Sequence, residues 1–180
     1  MLTTVKDGIK RSAIFDATGQ YRYSLERRWP EKSSPEKLSL EKSSTDERKV
    51  VFIMLNPSRA DAKQDDPTLR ACMQFARIWG YSVLEVVNLF AYCTADPKVL
   101  KTVQEPIGEE CDRALLAAAE SATQIILAWG NWGQLLQRDQ TVLKLLANCA
   151  PKMYCLGMTQ AGQPRHPLYI KRTTSPIRFE

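Results

Sequence analysis

Two asparagines, one histidine and a cluster of aspartates stand where local sequence can turn them to chemistry. Asn56 follows an apolar run at residues 50–55, and Asn88 lies near the end of another at 82–89. A carboxamide donates and accepts at once, which suits reading the edge of a planar base. Each can equally bond the backbone of its own loop. His166 is the only histidine of the chain, and Pro164 and Pro167 bracket it, which rules out a helix interior. A neutral imidazole there can donate to an oxyanion developing on a leaving base. A cationic one can contact phosphate, with Arg165 alongside. Asp61, Asp65 and Asp66 fall within six residues. Asp66 before Pro67 reads as a helix N-cap. Asp61 and Asp65 have no such role, so either can orient a water for attack on a sugar carbon or sit solvated in a loop.

Around these polar groups lie candidates for substrate contact. Pro57 and Ser58 complete the first strand tip. Phe90 and Tyr92 follow Asn88 and would either sandwich a base or pack in the core. Trp129-Gly130 offers a bulky wall beside backbone that a ligand can approach closely. Trp132 is expected to pack on the sheet.

Other chemistries find no support. The chain contains no G-x-S-x-G, no G-x-G-x-x-G and no P-loop. Its five cysteines are odd in number and include no C-x-x-C pair. With one histidine to assist, neither a structural zinc nor a disulfide framework is expected, and no cofactor is implied.

These side chains converge only if the elements before them lie side by side. Residues 12–29 read as a β-hairpin about a turn at Asp16-Ala17-Thr18-Gly19. Residues 30–48 are polar, rich in Glu, Lys and Ser, and read as a flexible solvent loop. From residue 49 the chain repeats strand, loop, helix. Strands are predicted at 50–55, 82–89, 124–128 and 153–156, each a short run of largely apolar residues, as buried parallel strands require. Helices are predicted from Asp66-Pro67 to Gly80, at about 97–103, over 108–122, and over 132–148 with a break near Asp139. The fold expected is α/β: a three-layer α/β/α sandwich with a mostly parallel four-stranded sheet, plus the N-terminal hairpin. In such sheets ligands bind beyond the carboxyl ends of the strands. That rim would carry Asn56, Asn88, Trp129 and His166.

At 180 residues one domain is expected, comprising the hairpin at 1–29, the loop at 30–48 and the α/β core at 49–180. The net charge of +5 and pI near 9.0 favour a polyanionic partner, nucleic acid or nucleotide, or simply a solvated basic surface. No apolar run nears the ~20 residues that cross a bilayer, and residues 1–16 carry no signal-peptide core. A cytoplasmic protein without membrane partners is expected.

Two resemblances arise at these residues. Over about residues 50–170, the segments MLNPSRADAKQDDPTLRAC, VVNLFAYCTADP, AWG and GQPRHPLY resemble an uncharacterised bacterial and phage family of domain-of-unknown-function proteins. More remotely, the order Asn56-Pro57, Asn88, Trp129-Gly130 and His166-Pro167-Leu168 is similar to the motifs of the uracil-DNA glycosylase superfamily. That resemblance implies a parallel four-stranded α/β/α fold, a base-reading Asn88 and a His166 that steadies the leaving base. Leu55 stands where that superfamily carries glycine. Asn56 stands where many of its members carry a water-activating aspartate, and the final motif lacks its Ser-Pro.

The activity so implied is cleavage of an N-glycosidic bond in DNA or a nucleotide, with Asn56, Asp61 and His166 as catalytic groups. The alternatives are a non-catalytic reader of nucleotides or modified bases in the same pocket, and a protein-interaction module docking a partner on a basic face.

Overall fold

Asp7 and Gly8 both take positive φ, 53° and 71°. This is the backbone of a two-residue hairpin turn whose twist matches the flanking strands. It folds β1 (Leu2–Lys6) onto β2 (Ile9–Phe15), with Lys6 opposite Ile9. A second turn is organised by the Asp16 carboxylate, which accepts from the amides of Thr18 and Tyr21. It returns the chain as β3 (Arg22–Arg28), antiparallel to β2. The computed structural model describes residues 1–30, 47–58 and 60–180. Residues 31–46 of the expected polar loop lie outside that range.

The chain continues through β4 (Lys49–Met54), α1 (Pro67–Ile78), β5 (Val83–Asn88), α2 (Cys111–Ser121), β6 (Gln124–Leu127), α3 (Arg138–Leu145), β7 (Met153–Cys155) and β8 (Ile177–Arg178). Among the described residues, eight strands join one sheet in the order β1-β2-β3-β5-β4-β6-β7-β8. β4 pairs in parallel with β5 and with β6, and β6 in parallel with β7.

The expectation of a mostly parallel four-stranded sheet is corrected. The sheet is eight strands wide, and its other four pairings are antiparallel. The physical reason is the sheet edge. A bare edge leaves a row of N–H and C=O groups unpaired. Here β3 pairs along β5 and β8 along β7, so the hairpin expected as an appendage is part of the sheet.

Why the inner strands are near-continuous apolar runs is plain from their two faces. Val50, Phe52 and Met54 of β4 pack with Leu69, Cys72, Phe75 and Ala76 of α1. Val51 and Ile53 face the opposite layer, with Leu115 and Ala119 of α2 and Val142 of α3. Each such side chain, buried fully, contributes roughly 1.5–3 kcal/mol.

Helix α1 begins as expected: Pro67 takes the first turn, and Asp66 Oδ1 accepts from the Leu69 amide at 2.7 Å. The predicted helix over 132–148 is corrected to three pieces. These are a 3-10 segment at Asn131–Gln137, then α3, then a second 3-10 segment at Ala147–Lys152. The break falls at Leu135–Gln137, where Leu136 and Gln137 have φ of 54° and 53°, just before the expected neighbourhood of Asp139. The cause lies just beyond it. Arg138 and Asp139 are both buried and tied inward, Arg138 Nε to the Leu89 carbonyl and Asp139 to Gln163, so the chain turns before them. Among the described residues, no helix is long and apolar enough to cross a membrane.

Candidate functional site

The order β5-β4-β6 reverses the sequence at β4, and the crevice at such a reversal is where ligands enter α/β sheets. Here it is a cleft of about 450 Å³, well within the range of small-ligand sites. It is walled by the segments that follow β4, β5 and β6, by the N-terminus of α1, by β3 and by the loop after β7.

Asn56 is held by its amide nitrogen. Nδ2 donates to the Pro57 carbonyl at 2.9 Å and to the Thr94 carbonyl at 2.7 Å, and the Thr94 amide in turn donates to the Pro57 carbonyl at 2.9 Å. The side chain thus pins the loop after β4 to the loop after β5. Its Oδ1 accepts from no donor among the described residues. Asn88 closes β5 opposite Met54 and is buried. Its Oδ1 accepts from Arg22 Nη2 at 3.5 Å, while its Nδ2 has no acceptor among the described residues. The two carboxamides thus offer the cleft complementary atoms, an acceptor and a donor.

Ser58 Oγ donates to Asp66 Oδ2 at 2.6 Å. Both oxygens of the Asp66 carboxylate are therefore engaged, one by Ser58 and one by the Leu69 amide. Trp129 is a buried wall. Its Nε1 donates to Gln163 Oε1 at 2.6 Å, and Gln163 Nε2 donates to Asp139 Oδ2 at 2.9 Å. Gly130 turns the chain with φ of 70°, a conformation that favours glycine, and its amide donates to the Pro164 carbonyl. Gly133 lies so close under the indole that a Cβ there would sit 2.1 Å from Trp129 Cδ1.

His166 lines the cleft between its two prolines. Burial pushes its pKa below the usual histidine value, with the nearby Asp66 charge pulling the other way. Nδ1 accepts from the Leu168 amide at 3.4 Å. The neutral ring therefore carries its proton on Nε2, as a donor.

Six of the eleven residues expected at the site thus share this cleft: Asn56, Ser58, Asn88, Trp129, Gly130 and His166. Five do not line it. Asp61 organises its own loop, its Oδ1 accepting from the amides of Lys63 and Gln64, each at 2.7 Å. That oxygen is spent on a local turn. Phe90 is wholly buried in the core between the sheet and α2. Tyr92 packs edge-on against Tyr21 at 5.5 Å and does not line the cleft. Pro57 is buried and contributes its carbonyl as the acceptor just described. Arg165 is exposed on the outer side of its loop, beside Gly157.

Sequence reasoning missed Arg22 and Thr94 and assigned Trp132 to packing, and all three line the cleft. Trp132 sits at the rim, with Lys101 Nζ 4.9 Å from its ring centroid, where core packing was expected. Arg22 is in the cleft only because β3 pairs with β5, and it meets Asn88 from 66 residues away. No local spacing could signal it. Among the described residues, no group of three or more His, Cys, Asp or Glu is placed to hold a metal ion.

Fold and cleft together define a mixed α/β protein with a ligand-sized site at the carboxyl ends of its parallel strands. The chain belongs to the family described as a protein of unknown function, DUF1643, which matches residues 22–168. Every residue lining the cleft lies inside that span, whereas β1, β2 and β8 lie outside it. No curated protein and no solved structure matches the chain.

Proposed function

We propose that the cleft binds a nucleobase joined to a sugar and cleaves the N-glycosidic bond between them. One observation carries the reading: Asn56, Asn88 and His166, distant in sequence, line one cleft walled by Trp129 and Trp132. The remote resemblance to uracil-DNA glycosylases supports it, since the same four motif positions fall at the ends of β4, β5 and β6 and after β7.

In this reading a base lies between the indole walls and is read at its edge by Asn88 Nδ2. As the bond breaks, its electron pair stays on the base and the sugar becomes oxocarbenium-like. His166 Nε2–H donates to the base oxygen where charge develops. Asn56 Oδ1 accepts from the attacking water, which adds to the sugar carbon and yields a proton to the departed base anion, leaving a sugar hydroxyl and a neutral base. Asp66 supplies negative charge near the cationic sugar. A base in duplex DNA would first be flipped out, at a cost of a few kcal/mol. The test is mass-spectrometric detection of free base after incubation with nucleosides, nucleotides and damaged DNA. Release by the wild-type protein that is lost in His166→Ala supports the reading, and no release from any substrate defeats it.

A second reading is a non-catalytic binder of nucleotides or modified bases. It is favoured by one feature: Asp66, the single carboxylate lining the cleft among the described residues, is already engaged by Ser58 and by the N-terminus of α1. Saturable binding without base release on prolonged incubation would establish it.

A further inference from the structure

Among the described residues, four arginines are buried: Arg11, Arg22, Arg27 and Arg138. Arg11 and Arg27 both clasp Asp65, and Arg138 pairs with Asp112. Arg22 alone forms no ion pair among the described residues, although it is 4% exposed. A guanidinium withdrawn from water without a counter-charge is costly. Burial accordingly pushes its pKa down to about 10, offset in part by the nearby Asp66 carboxylate.

Its contacts are incomplete as well. Nη1 donates to the Ala60 carbonyl at 2.5 Å and Nη2 reaches Asn88 Oδ1 at a long 3.5 Å. Nε is buried with no partner among the described residues. Further N–H groups on both terminal nitrogens remain. Among the described residues lining the cleft, Arg22 is also the single arginine or lysine, and it lies directly beside Asn88. The counter-charge that the protein omits is the one a ligand can bring.

We propose that Arg22 is the anion-recognition residue of the cleft, binding a ligand oxygen that carries full or developing negative charge. Two sources share this chemistry: a phosphate of a nucleotide, and the carbonyl oxygen of an acidic or departing base. The proposal rests on the reading that the cleft holds a base-bearing ligand. The planar fork of arginine suits either oxygen, and its placement beside Asn88 makes base edge and anion neighbours.

The test uses the full chain, with inorganic phosphate, UMP, uridine and uracil as probes. Their affinities for wild type, Arg22→Lys and Arg22→Gln are measured by calorimetry. The Arg22 Nε–H resonance of the wild type is followed in parallel. A charge-assisted contact predicts a loss of roughly 10- to 100-fold in Arg22→Gln, with partial recovery in Arg22→Lys. A loss confined to phosphate and UMP identifies a phosphate. A loss extending to uridine and uracil identifies the base oxygen. If Arg22→Gln does not fold, a shift of the wild-type resonance on adding a probe still supports the proposal, and its constancy defeats it. Wild-type-like affinity for every probe in Arg22→Gln overturns the anion role and leaves the base pocket standing. Arg22-dependent binding of phosphate without binding of uridine, uracil or UMP overturns the base reading and keeps the anion site. Failure of every probe to bind wild type defeats both.

Discussion

Trp129 and Gln163 are joined side chain to side chain, the indole N–H donating to the amide oxygen at 2.6 Å within the protein interior. Gln163 passes the connection on to Asp139 at 2.9 Å, so one glutamine ties the segment after β6 to α3 and to the loop that carries His166. Replacing Gln163 with Leu strands a buried indole N–H and removes a donor from a buried carboxylate. Each stranded polar group costs about 1–3 kcal/mol. We expect Gln163→Leu to lower stability by about 2–4 kcal/mol in urea unfolding. Trp129 emission would change in the native baseline. A loss below about 0.5 kcal/mol would show that the contact contributes nothing beyond its packing.

Asp65 is the keystone of the opposite side. Arg27 Nη2 approaches it at 2.8 Å and Arg11 Nη1 at 3.2 Å, with both guanidinium groups almost wholly withdrawn from water. Asp65→Asn leaves two buried cations without an anion. Removal of one partner from a buried pair costs about 3–5 kcal/mol, and that is the loss expected from the urea midpoint at constant slope. The segment so released also presents Ala60 and Asp66 to the cleft. A change near that of an exposed ion pair, below about 1 kcal/mol, would contradict this account.

These two relationships also mark where the sequence was legible. The four inner strands were read as short apolar runs because the fold buries both faces of each, and that removes the alternation a half-exposed strand shows. The tips of β4, β5 and β6 followed from those runs, and with them Asn56, Asn88 and Trp129. The cap at Asp66 followed from its proline. By contrast, Asp61 and Asp65 look alike in the sequence. What separates them is two arginines on β2 and β3, and that pairing is a tertiary event. Arg22 was illegible for the same reason. β1 was overlooked although Asp7-Gly8 is a two-residue hairpin signal, since its strand is short and almost wholly exposed. The two residues of β8 are too few for any pattern. The break before α3 uses left-handed Leu136 and Gln137, residue types that give no warning of it.

The pH dependence of stability should report on His166. Burial lowers its folded pKa below the ordinary value of 6.5, with Asp66 opposing the shift. Between 6.5 and the folded value, the unfolded chain takes up a proton that the folded chain refuses. Stability therefore falls as pH drops through that window and is fully present above 6.5. His166 is the only histidine, so His166→Gln removes the histidine contribution entirely. Melting temperatures from about pH 5 to 7.5 should show a steeper acid-side fall for wild type than for His166→Gln. Parallel profiles would mean that the ring titrates as in water.

Rate measurements separate chemistry from scaffolding at the two remaining groups. His166 makes one long hydrogen bond to its own loop, so His166→Ala should leave the melting temperature nearly unchanged. Base release should nevertheless fall about 10²–10³-fold, the usual consequence of losing one oxyanion donor. Asn56 differs, because its Nδ2 joins the Pro57 and Thr94 carbonyls. Asn56→Ala should therefore lose activity and also about 1–2 kcal/mol of stability. Asn56→Asp presents a carboxylate to two carbonyl oxygens and loses both bonds, so it should be no more stable than the alanine variant. Steady-state release on a common substrate, with urea unfolding of each variant, checks all three. If His166→Ala turned over at the wild-type rate, the imidazole would have no part in stabilising the leaving base, and the cleft would be better described as a binding site.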